Sequence, residues 1–277
     1  QTKAQDADGN ITSYDMTFAG NGGTLTFGDG VVFLRHNDAT MKPTVYGGSL
    51  KDSELTTTQK STVTVTAGCN AHFTAIYGGG TKAQTRNTSV AINGGTVDKV
   101  FGGGKTAEGI ITGDTMLKLT GGTCNSTEVY GGGEDAKVDG STDVEVDVKL
   151  PDDASVYGGS KNAQVTRNTN VWVKLPNTSA KHEFRLKNIS AYGTDINGEL
   201  ADNVGGNKAE LRLEMKDKTL TGSNAVIEKL SGFSSLTIGD VTDTDFNNSK
   251  FILTKRFDSK PTGSAANGRT DTVVLHS

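Results

Sequence analysis

The sequence predicts an all-β fold, a right-handed parallel β-helix (β-solenoid) with coils of about 27 residues. Two observations lead to this prediction. An aromatic residue followed by glycines recurs five times, and a set of Val, Ile and Leu positions recurs every 27 residues over the same part of the chain. A unit this short cannot bury its own apolar face, so it must stack on its neighbours.

The recurring motif reads [VI]-[YF]-G-G-[GS]-x-x-A in most of its copies. The five copies begin VYGGS, IYGGG, VFGGG, VYGGG and VYGGS, with their aromatic residues at Tyr46, Tyr77, Phe101, Tyr130 and Tyr157. We expect each glycine run to form a sharp corner, because glycine tolerates positive φ and the close approach of another backbone. A phosphate-binding loop would lead into a helix. Each run here leads into another strand, so nucleotide binding is not expected.

A second periodic set describes the strands themselves. Apolar residues occupy alternate positions, and they recur at Val63, Val90, Leu117, Val144 and Val171 and at Val65, Ile92, Leu119, Val146 and Val173. Alternation of apolar and polar residues is typical of a half-buried strand. Parallel stacking places Lys118 beside Glu145, and Asp147 beside Lys174. A hydroxyl column precedes the strands, at Ser61, Thr88, Thr115, Thr142 and Thr169.

Outside the repeats the pattern is less regular, yet no linker demands a domain boundary. We expect one domain over residues 1–277, with an N-terminal coil or cap (1–43), regular repeats (44–175) and irregular coils or a β-rich cap (176–277). Further strands are expected at Thr24–Phe27, Val31–Arg35, His182–Leu186, Glu210–Met215, Ser235–Ile238, Lys250–Leu253 and Thr272–Leu275. A weak signal at Asn224–Leu230 permits a helix. "AYGTD" at Ala191–Asp195 is interpreted as a decayed copy of the motif.

Composition and charge exclude several classes of partner. The net charge is −4 with both signs interspersed, so no basic surface is expected for nucleic acid. No apolar stretch approaches the roughly 18 residues of a membrane span. The two cysteines, Cys69 and Cys124, lie about two coils apart. Their expected separation of about 9–10 Å exceeds the limit of about 7 Å for a disulfide, so both are expected to be unpaired.

The five aromatic residues of the motif are the candidate ligand-binding residues, and we call them the aromatic ladder. Alternation points the preceding Val or Ile inward and the ring outward. The ladder is Tyr46, Tyr77, Phe101, Tyr130 and Tyr157. Stacked outward rings would suit sugar faces or a protein interface. The alternative is that the rings pack under a loop, or on one another, and support the sheet. Trp172 is a separate outward aromatic residue, expected to be covered by a C-terminal loop.

No cofactor or metal site is expected. Oxygen-rich clusters occur at Asp6–Asn10 and Asp243–Asn248. The first begins like an EF-hand loop but has Ile11 and Thr17 where the loop needs Gly and Glu, so a solvated turn is expected. The histidines His36, His72, His182 and His276 do not have the spacing of metal ligands.

The repeats at residues 44–175 resemble the Gly-rich β-solenoid segments of large secreted or cell-wall-attached bacterial proteins, adhesin-like in organisation. The predicted fold also resembles the pectin-lyase-like group, whose hydrolases carry N-T-D, D-D and G-H-G segments on adjacent coils. This chain has Asp152–Asp153 but neither other segment. Arg86 and Arg167 lie three coils apart, too far to act together. No catalytic residue is therefore expected.

These resemblances imply an extracellular or bacterial cell-surface module that binds a glycan or a host protein without catalysis. A carbohydrate-active enzyme, lyase or hydrolase, on the same scaffold is the alternative, and a purely structural stalk is the third. An exposed aromatic ladder would favour binding, a buried ladder the stalk, and a carboxylate cluster in a groove the enzyme.

Overall fold

The computed structural model describes residues 2–5, 11–34, 41–51, 60–175, 183–206, 208–215, 224–238, 250–258 and 272–275, and within these ranges the chain is all β, without a helix. The strands are β1 (Thr2–Gln5), β2 (Ile11–Asp15), β3 (Thr17–Ala19), β4 (Thr24–Phe27), β5 (Thr44–Tyr46), β6 (Lys60–Val65), β7 (His72–Phe73), β8 (Ala75–Tyr77), β9 (Asn87–Val97), β10 (Val100–Phe101), β11 (Thr115–Cys124), β12 (Glu128–Tyr130), β13 (Thr142–Val146), β14 (Ala154–Tyr157), β15 (Thr169–Leu175), β16 (Glu183–Ser190), β17 (Gly193–Thr194), β18 (Leu200–Ala201), β19 (Ala209–Met215), β20 (Asn224–Ser231), β21 (Ser235–Ile238), β22 (Lys250–Asp258) and β23 (Thr272–Leu275).

Two parallel sheets contain most of these strands. The nine-stranded sheet has the order β22-β20-β16-β14-β12-β10-β8-β5-β3, and the ten-stranded sheet has the order β23-β21-β19-β15-β13-β11-β9-β6-β4. Strands that follow one another along the chain mostly alternate between the two sheets. A third line of isolated parallel bridges joins Thr85, Ile111, Val138, Val165 and Val204. The only antiparallel pairs among the described strands are β1–β2 and β17–β18.

The strand register agrees with the sequence period. Val63 pairs with Val90, Val90 with Leu117, Leu117 with Val144 and Val144 with Val171. Partners 27 residues apart therefore lie side by side from β6 to β15. These five side chains are buried in one apolar cluster that takes residues from both sheets, so the core lies between the sheets. A group of phenylalanine rings, Phe18, Phe27, Phe33 and Phe73, occupies the N-terminal end of this core.

The C-terminal third continues both sheets, although its spacing differs from the repeats. Leu211 on β19 and Leu236 on β21 extend the line of buried residues that contains Val171. The helix that the sequence permitted at Asn224–Leu230 is wrong, because β20 occupies this segment. Its pairing with β16 on one side and β22 on the other outweighs a weak local signal.

The strand expected at Val31–Arg35 is also not formed over the described part of that segment. The backbone turns at Gly30, which has a φ of 72°, and the amide of Val31 donates to the carbonyl of Gly28 at 3.3 Å. Phe33 instead packs its ring on Phe27 and Phe73, with centroids 6.1 Å apart in both contacts. This segment therefore covers the end of the core by side-chain packing.

Candidate ligand-binding site

The aromatic ladder forms a continuous stack along the nine-stranded sheet. Successive ring centroids lie 5.1, 5.0, 5.4 and 4.7 Å apart, with interplanar angles of 6°, 3°, 6° and 14°. The spacing follows from the register, because each ring is the direct partner of the next across the parallel strands. Near-parallel rings at this distance attract one another in addition to burying area.

The ladder points away from the core, as strand alternation predicts, but it does not face solvent. Its rings form a cluster separate from the core valines, and Tyr46 is the most exposed of the five, at 6%. Leu50 and Leu200 pack against this cluster. Alternation specifies the side of a strand on which a residue lies, whereas the residues that cover this side, such as Leu200, are not related to the ladder by the repeat. The aromatic ladder therefore offers no open stacking platform. The alternative prediction, in which the rings pack on one another and under other residues, describes Tyr46, Tyr77, Phe101, Tyr130 and Tyr157.

Two ladder hydroxyls make hydrogen bonds to polar side chains, one of them part-buried and the other buried. Tyr77 donates to Glu134 Oε2 at 2.6 Å, and the Tyr130 hydroxyl lies 3.0 Å from that of Thr194. Burial raises the pKa of Tyr77 well above its usual range, and the bond to Glu134 adds to the rise. Burial also raises the pKa of Tyr130, although the bond from Thr194 opposes it. Both phenols are therefore held neutral.

The glycine runs serve close backbone approach rather than positive φ. None of the first two glycines of the five runs has a positive φ. A Cβ on Gly102 would lie against the carbonyl oxygen of Gly131 in the next strand, and a Cβ on Gly78 against that of Gly102. Glycine is thus needed because stacked corners bring successive backbones into contact.

The hydroxyl column holds these corners together. Ser61 donates to the carbonyl of Gly78 at 2.7 Å, and Thr115 donates to that of Gly131 at 2.7 Å. Thr88 and Thr142 make the same bond to Gly102 and Gly158, each at 2.5 Å. The column ends at Thr169, whose buried hydroxyl has no hydrogen-bond partner among the described residues.

The ladder ends at Tyr157, because the register changes in the next strand. Ser190 is the direct partner of Tyr157, so "AYGTD" is not a copy of the motif with its tyrosine in the same column. Tyr192 lies two positions further along and packs in a separate cluster with Val165 and Val204. Among the described residues, no second ring stacks on Tyr157 beyond Tyr130.

A polar cleft of about 310 Å³ borders the last ring of the ladder. We define the polar cleft by its lining residues, which come from β12, β14, β16, β20 and the β17–β18 hairpin. They are Thr127, Glu128, Asp153, Ser155, Tyr157, Lys187, Asn188, Gly198, Glu199, Leu200 and Lys229. Ser155 and Tyr157 are buried at its base, and the Asn188 amide donates to Ser155 Oγ at 3.4 Å. The cleft therefore combines an aromatic ring with carboxylates, ammonium groups and hydroxyls.

The hairpin wall of the polar cleft is held in place at both ends. At its tip, Asp195 Oδ1 accepts bonds from the amides of Asn197 at 2.8 Å and Glu199 at 3.0 Å. These bonds, first among them that from Glu199, lower the pKa of Asp195. At its base, Thr194 contacts the Tyr130 hydroxyl and donates to the carbonyl of Lys161 at 2.9 Å. The buried ladder thus positions one wall of the cleft.

The sequence did not identify this cleft. Six of its residues come from the irregular segment after residue 175, where spacing no longer aligns one strand with the next. Of the aromatic ladder, only Tyr157 lines it. The available signal was the end of the motif after the fifth copy, which marks where the stack of rings must stop.

A second cavity, the Trp172 groove, lies on the outer face of the ten-stranded sheet and has a volume of about 290 Å³. Its lining includes Lys118, Asp143, Asn170, Trp172, Glu210 and Arg212. The indole is half-buried, and its Nε1 donates to Glu214 Oε2 at 2.6 Å. Lys174 Nζ and Arg212 Cζ lie 3.8 and 4.5 Å from the ring centroid. Neighbouring strands therefore hold the ring in a fixed position.

Glu145 forms ion pairs with two lysines on the outer face of the ten-stranded sheet. Its carboxylate contacts Lys174 at 2.8 Å and Lys118 at 3.0 Å, so the predicted neighbour of Lys118 is confirmed. Lys174 also lies 3.9 Å from Asp147, the other predicted pair. Burial alone would raise the pKa of Glu145, but hydrogen bonds from Lys174 and Lys118 outweigh it and lower the pKa.

The remaining candidates do not converge on a site. Asp152 and Asp153 lie in the turn before β14, and only Asp153 lines the polar cleft. Arg86 and Arg167 are exposed and precede β9 and β15, three strand spacings apart. His72 Nε2 lies 2.6 Å from Asp98 Oδ1. Cys69 and Cys124 are free and buried, and burial raises the pKa of Cys124 to about 11.

The two oxygen-rich clusters, Asp6–Asn10 and Asp243–Asn248, and the histidines His36, His182 and His276 lie outside the described residues. Within the described ranges, no group of three His, Cys, Asp or Glu side chains could hold a metal ion. No helix in this part of the chain has the length and apolar character of a membrane span. No family model, curated protein or solved structure matches the chain.

Proposed function

We propose that this chain is a non-catalytic, adhesin-like module of an extracellular or bacterial cell-surface protein, and that it presents a flat face to a glycan. The scaffold would be a right-handed parallel β-helix of about 27-residue coils. Support for this scaffold comes from the two parallel sheets, the third line of parallel bridges and the register partners 27 residues apart. The right hand is the usual one for parallel crossovers.

The Trp172 groove is the observation that carries the proposed glycan binding. Asp143, Asn170 and Glu210 are direct register partners, so their polar side chains stand in line along one side of the groove. Trp172 and Arg212 stand in the neighbouring line. The part of the indole that Lys174 and Arg212 leave uncovered would offer an apolar surface to a sugar ring, and the polar side chains beside it would offer hydrogen bonds to its hydroxyls.

A binding screen of the purified chain against a glycan array and a panel of extracellular host proteins tests this function. We expect glycan binding, reduced about threefold to tenfold by Trp172→Ala, because one aromatic contact is worth about 0.5–1.5 kcal/mol. Trp172→Phe is the control that keeps a ring. Thermal unfolding of both variants verifies the fold. Binding to a host protein and to no glycan would contradict the ligand class, and equal binding by Trp172→Ala would contradict the groove.

A structural stalk is a second candidate, favoured by the burial of the aromatic ladder. In this case the ladder stabilises the stack and has no binding role. The same screen separates the two functions, because a stalk binds nothing on either panel while the folded protein remains stable.

A carbohydrate-active enzyme is a third candidate, favoured by the three carboxylates that line the polar cleft, Glu128, Asp153 and Glu199. Paired carboxylates are the usual catalytic groups of glycoside hydrolysis. Incubation with aryl glycosides and with polysaccharides tests it. Turnover that is lost in Glu199→Gln and in Glu128→Gln would replace the non-catalytic proposal.

A further inference from the structure

We propose that the polar cleft is a second binding site, separate from the Trp172 groove, and that it takes one neutral pyranose unit of a glycan. The inference rests on the proposed glycan-binding function and adds to it a site on the other sheet. Three features of the cleft carry it: its size and aromatic base, its pairing of hydrogen-bond donors with acceptors, and its fixed wall.

The size and base of the cleft suit one ring. Its volume of about 310 Å³ lies at the lower end of the roughly 300–1,000 Å³ typical of small-molecule sites. Tyr157 lies at the base, and it is the ring at which the stack of the ladder stops. Leu200 adds an apolar contact from the hairpin. Tyr157 is only 5% exposed and offers no full stacking face, so the apolar C–H edge of a sugar ring would lie against Leu200 and the small exposed part of Tyr157.

The polar lining matches the chemistry of sugar hydroxyls. A hydroxyl donates one hydrogen bond and accepts two, so it is best satisfied between an acceptor and a donor. The acceptors are the carboxylates of Glu128, Asp153 and Glu199. The donors are Lys187, Asn188 and Lys229. Bonds of this kind to charged groups are stronger than those between neutral groups.

The charge of the lining favours a neutral sugar over an acidic one. Three carboxylates are matched by three lysine ammonium groups, because Lys161 at the rim lies 3.7 Å from Glu128, so the cleft has no net positive charge to attract an acidic sugar. A uronic acid would add a further negative charge beside Glu199 and Asp153. Like charges brought together in a partly buried cleft repel one another, so we expect uronates to bind more weakly.

The wall of the cleft is formed before any ligand arrives. Asp195 ties the hairpin tip through two backbone amides, and Thr194 ties its base to Tyr130. A preformed wall reduces the ordering cost of binding. The buried ladder therefore has a positioning role, because the Tyr130 hydroxyl contacts Thr194 in the hairpin that carries Glu199 and Leu200.

The site is tested by titrating the wild-type chain with methyl glycosides and monitoring the titration by ¹H–¹⁵N NMR and calorimetry. The panel contains neutral hexosides, an N-acetylhexosaminide and a glucuronide. We expect a neutral glycoside to shift the amide resonances of residues 155–157, 188 and 198–200. Asn188→Ala and Glu199→Ala should each weaken binding roughly tenfold, the effect of losing one hydrogen bond to a charged or well-placed group. Because the shifts are measured on the wild type, the test does not depend on variant folding.

One control variant separates this site from the rest of the surface. Asn162→Ala removes an exposed asparagine whose amide donates to Asp135 at 2.7 Å, outside the cleft, and should leave glycoside binding unchanged.

The outcomes distinguish failure of the site from failure of the function. Glycan binding on the array without shifts at the cleft would overturn the cleft and leave the proposed function standing. Absence of all glycan and glycoside binding would overturn both. Tighter binding of the glucuronide than of neutral glycosides would overturn the ligand class, and hydrolysis of the glycosides would establish the enzyme instead.

Discussion

At the residue scale, four of the five glycine corners accept a hydrogen bond from one hydroxyl of the column. Thr115 and its counterparts donate to the carbonyl of the first corner glycine. The donor and acceptor are buried, so loss of the donor leaves an unsatisfied carbonyl in the protein interior. Thr169 offers the internal comparison, because its hydroxyl is buried without a hydrogen-bond partner among the described residues.

We predict that Thr115→Val destabilises the protein by about 1–3 kcal/mol, because the carbonyl of Gly131 loses its hydroxyl donor. Thr169→Val should be neutral or stabilising, since it removes a hydroxyl that makes no such bond. Denaturant unfolding of both variants measures the difference. Equal losses of stability in the two variants would show that the bond to the corner carbonyl contributes little.

At the element scale, the glycine corner is the feature that allows one strand to stack on the next. The corner glycines have no positive φ, so their requirement is space rather than backbone conformation. The carbonyl of Gly131 occupies the volume that a side chain at Gly102 would need. The opposing atom belongs to the backbone of a paired strand, and it cannot move without disturbing the register.

Gly102→Ala should therefore destabilise the protein by about 1–3 kcal/mol, the range for overpacking in a tight interior. Gly28→Ala is the matched control, because a Cβ there meets no atom within 4 Å and the φ of Gly28 is not positive. Thermal unfolding compares the two variants with the wild type. If both variants unfold at the same temperature as the wild type, close backbone approach does not explain the glycine runs.

At the scale of the whole molecule, the aromatic ladder links five strands of the nine-stranded sheet and the hairpin beyond them. Tyr77, Tyr130 and Tyr157 have raised pKa values, in each case chiefly because of burial. The unfolded chain ionises these phenols near their usual pKa of 10.0, while the folded chain keeps them neutral to higher pH. Above this pH the unfolded state therefore binds fewer protons than the native state, and stability falls as pH rises.

We predict that ionisation of these phenols leaves the free energy of unfolding unchanged below about pH 9. Above about pH 10 the free energy of unfolding should decline steadily as pH rises. Tyr130→Phe keeps the ring and removes one ionisable group, so its decline should be shallower. It should lose only about 0.5–1.5 kcal/mol near neutral pH, for the bond to Thr194. Denaturant unfolding across the alkaline range measures both slopes. Parallel declines in the two proteins would mean that Tyr130 is not protected from ionisation.

The sequence by itself determined the elements that repeat. Val63 and its counterparts at 27-residue steps fix the inward face and the register, because identical spacing places like residues on neighbouring strands. The same argument placed Lys118 beside Glu145, while recurrence of the glycine motif placed the five aromatic residues in one column. Beyond the repeats, where the period fails, strand-like local patterns placed strands at Ser235–Ile238 and Thr272–Leu275, whose bounds the structure reproduces.

Only the tertiary structure decided which faces are open. Whether Tyr157 meets solvent, a loop or a cleft depends on residues more than 30 positions away, such as Asn188 and Leu200, which no local spacing relates to it. The change of register at Ser190 is of the same kind, because the number of residues between β15 and β16 is not set by the repeat. Periodicity specifies neighbours within a sheet. Which residues cover that sheet depends on the irregular segments after residue 175. The polar cleft lies where these segments border the last of the repeats.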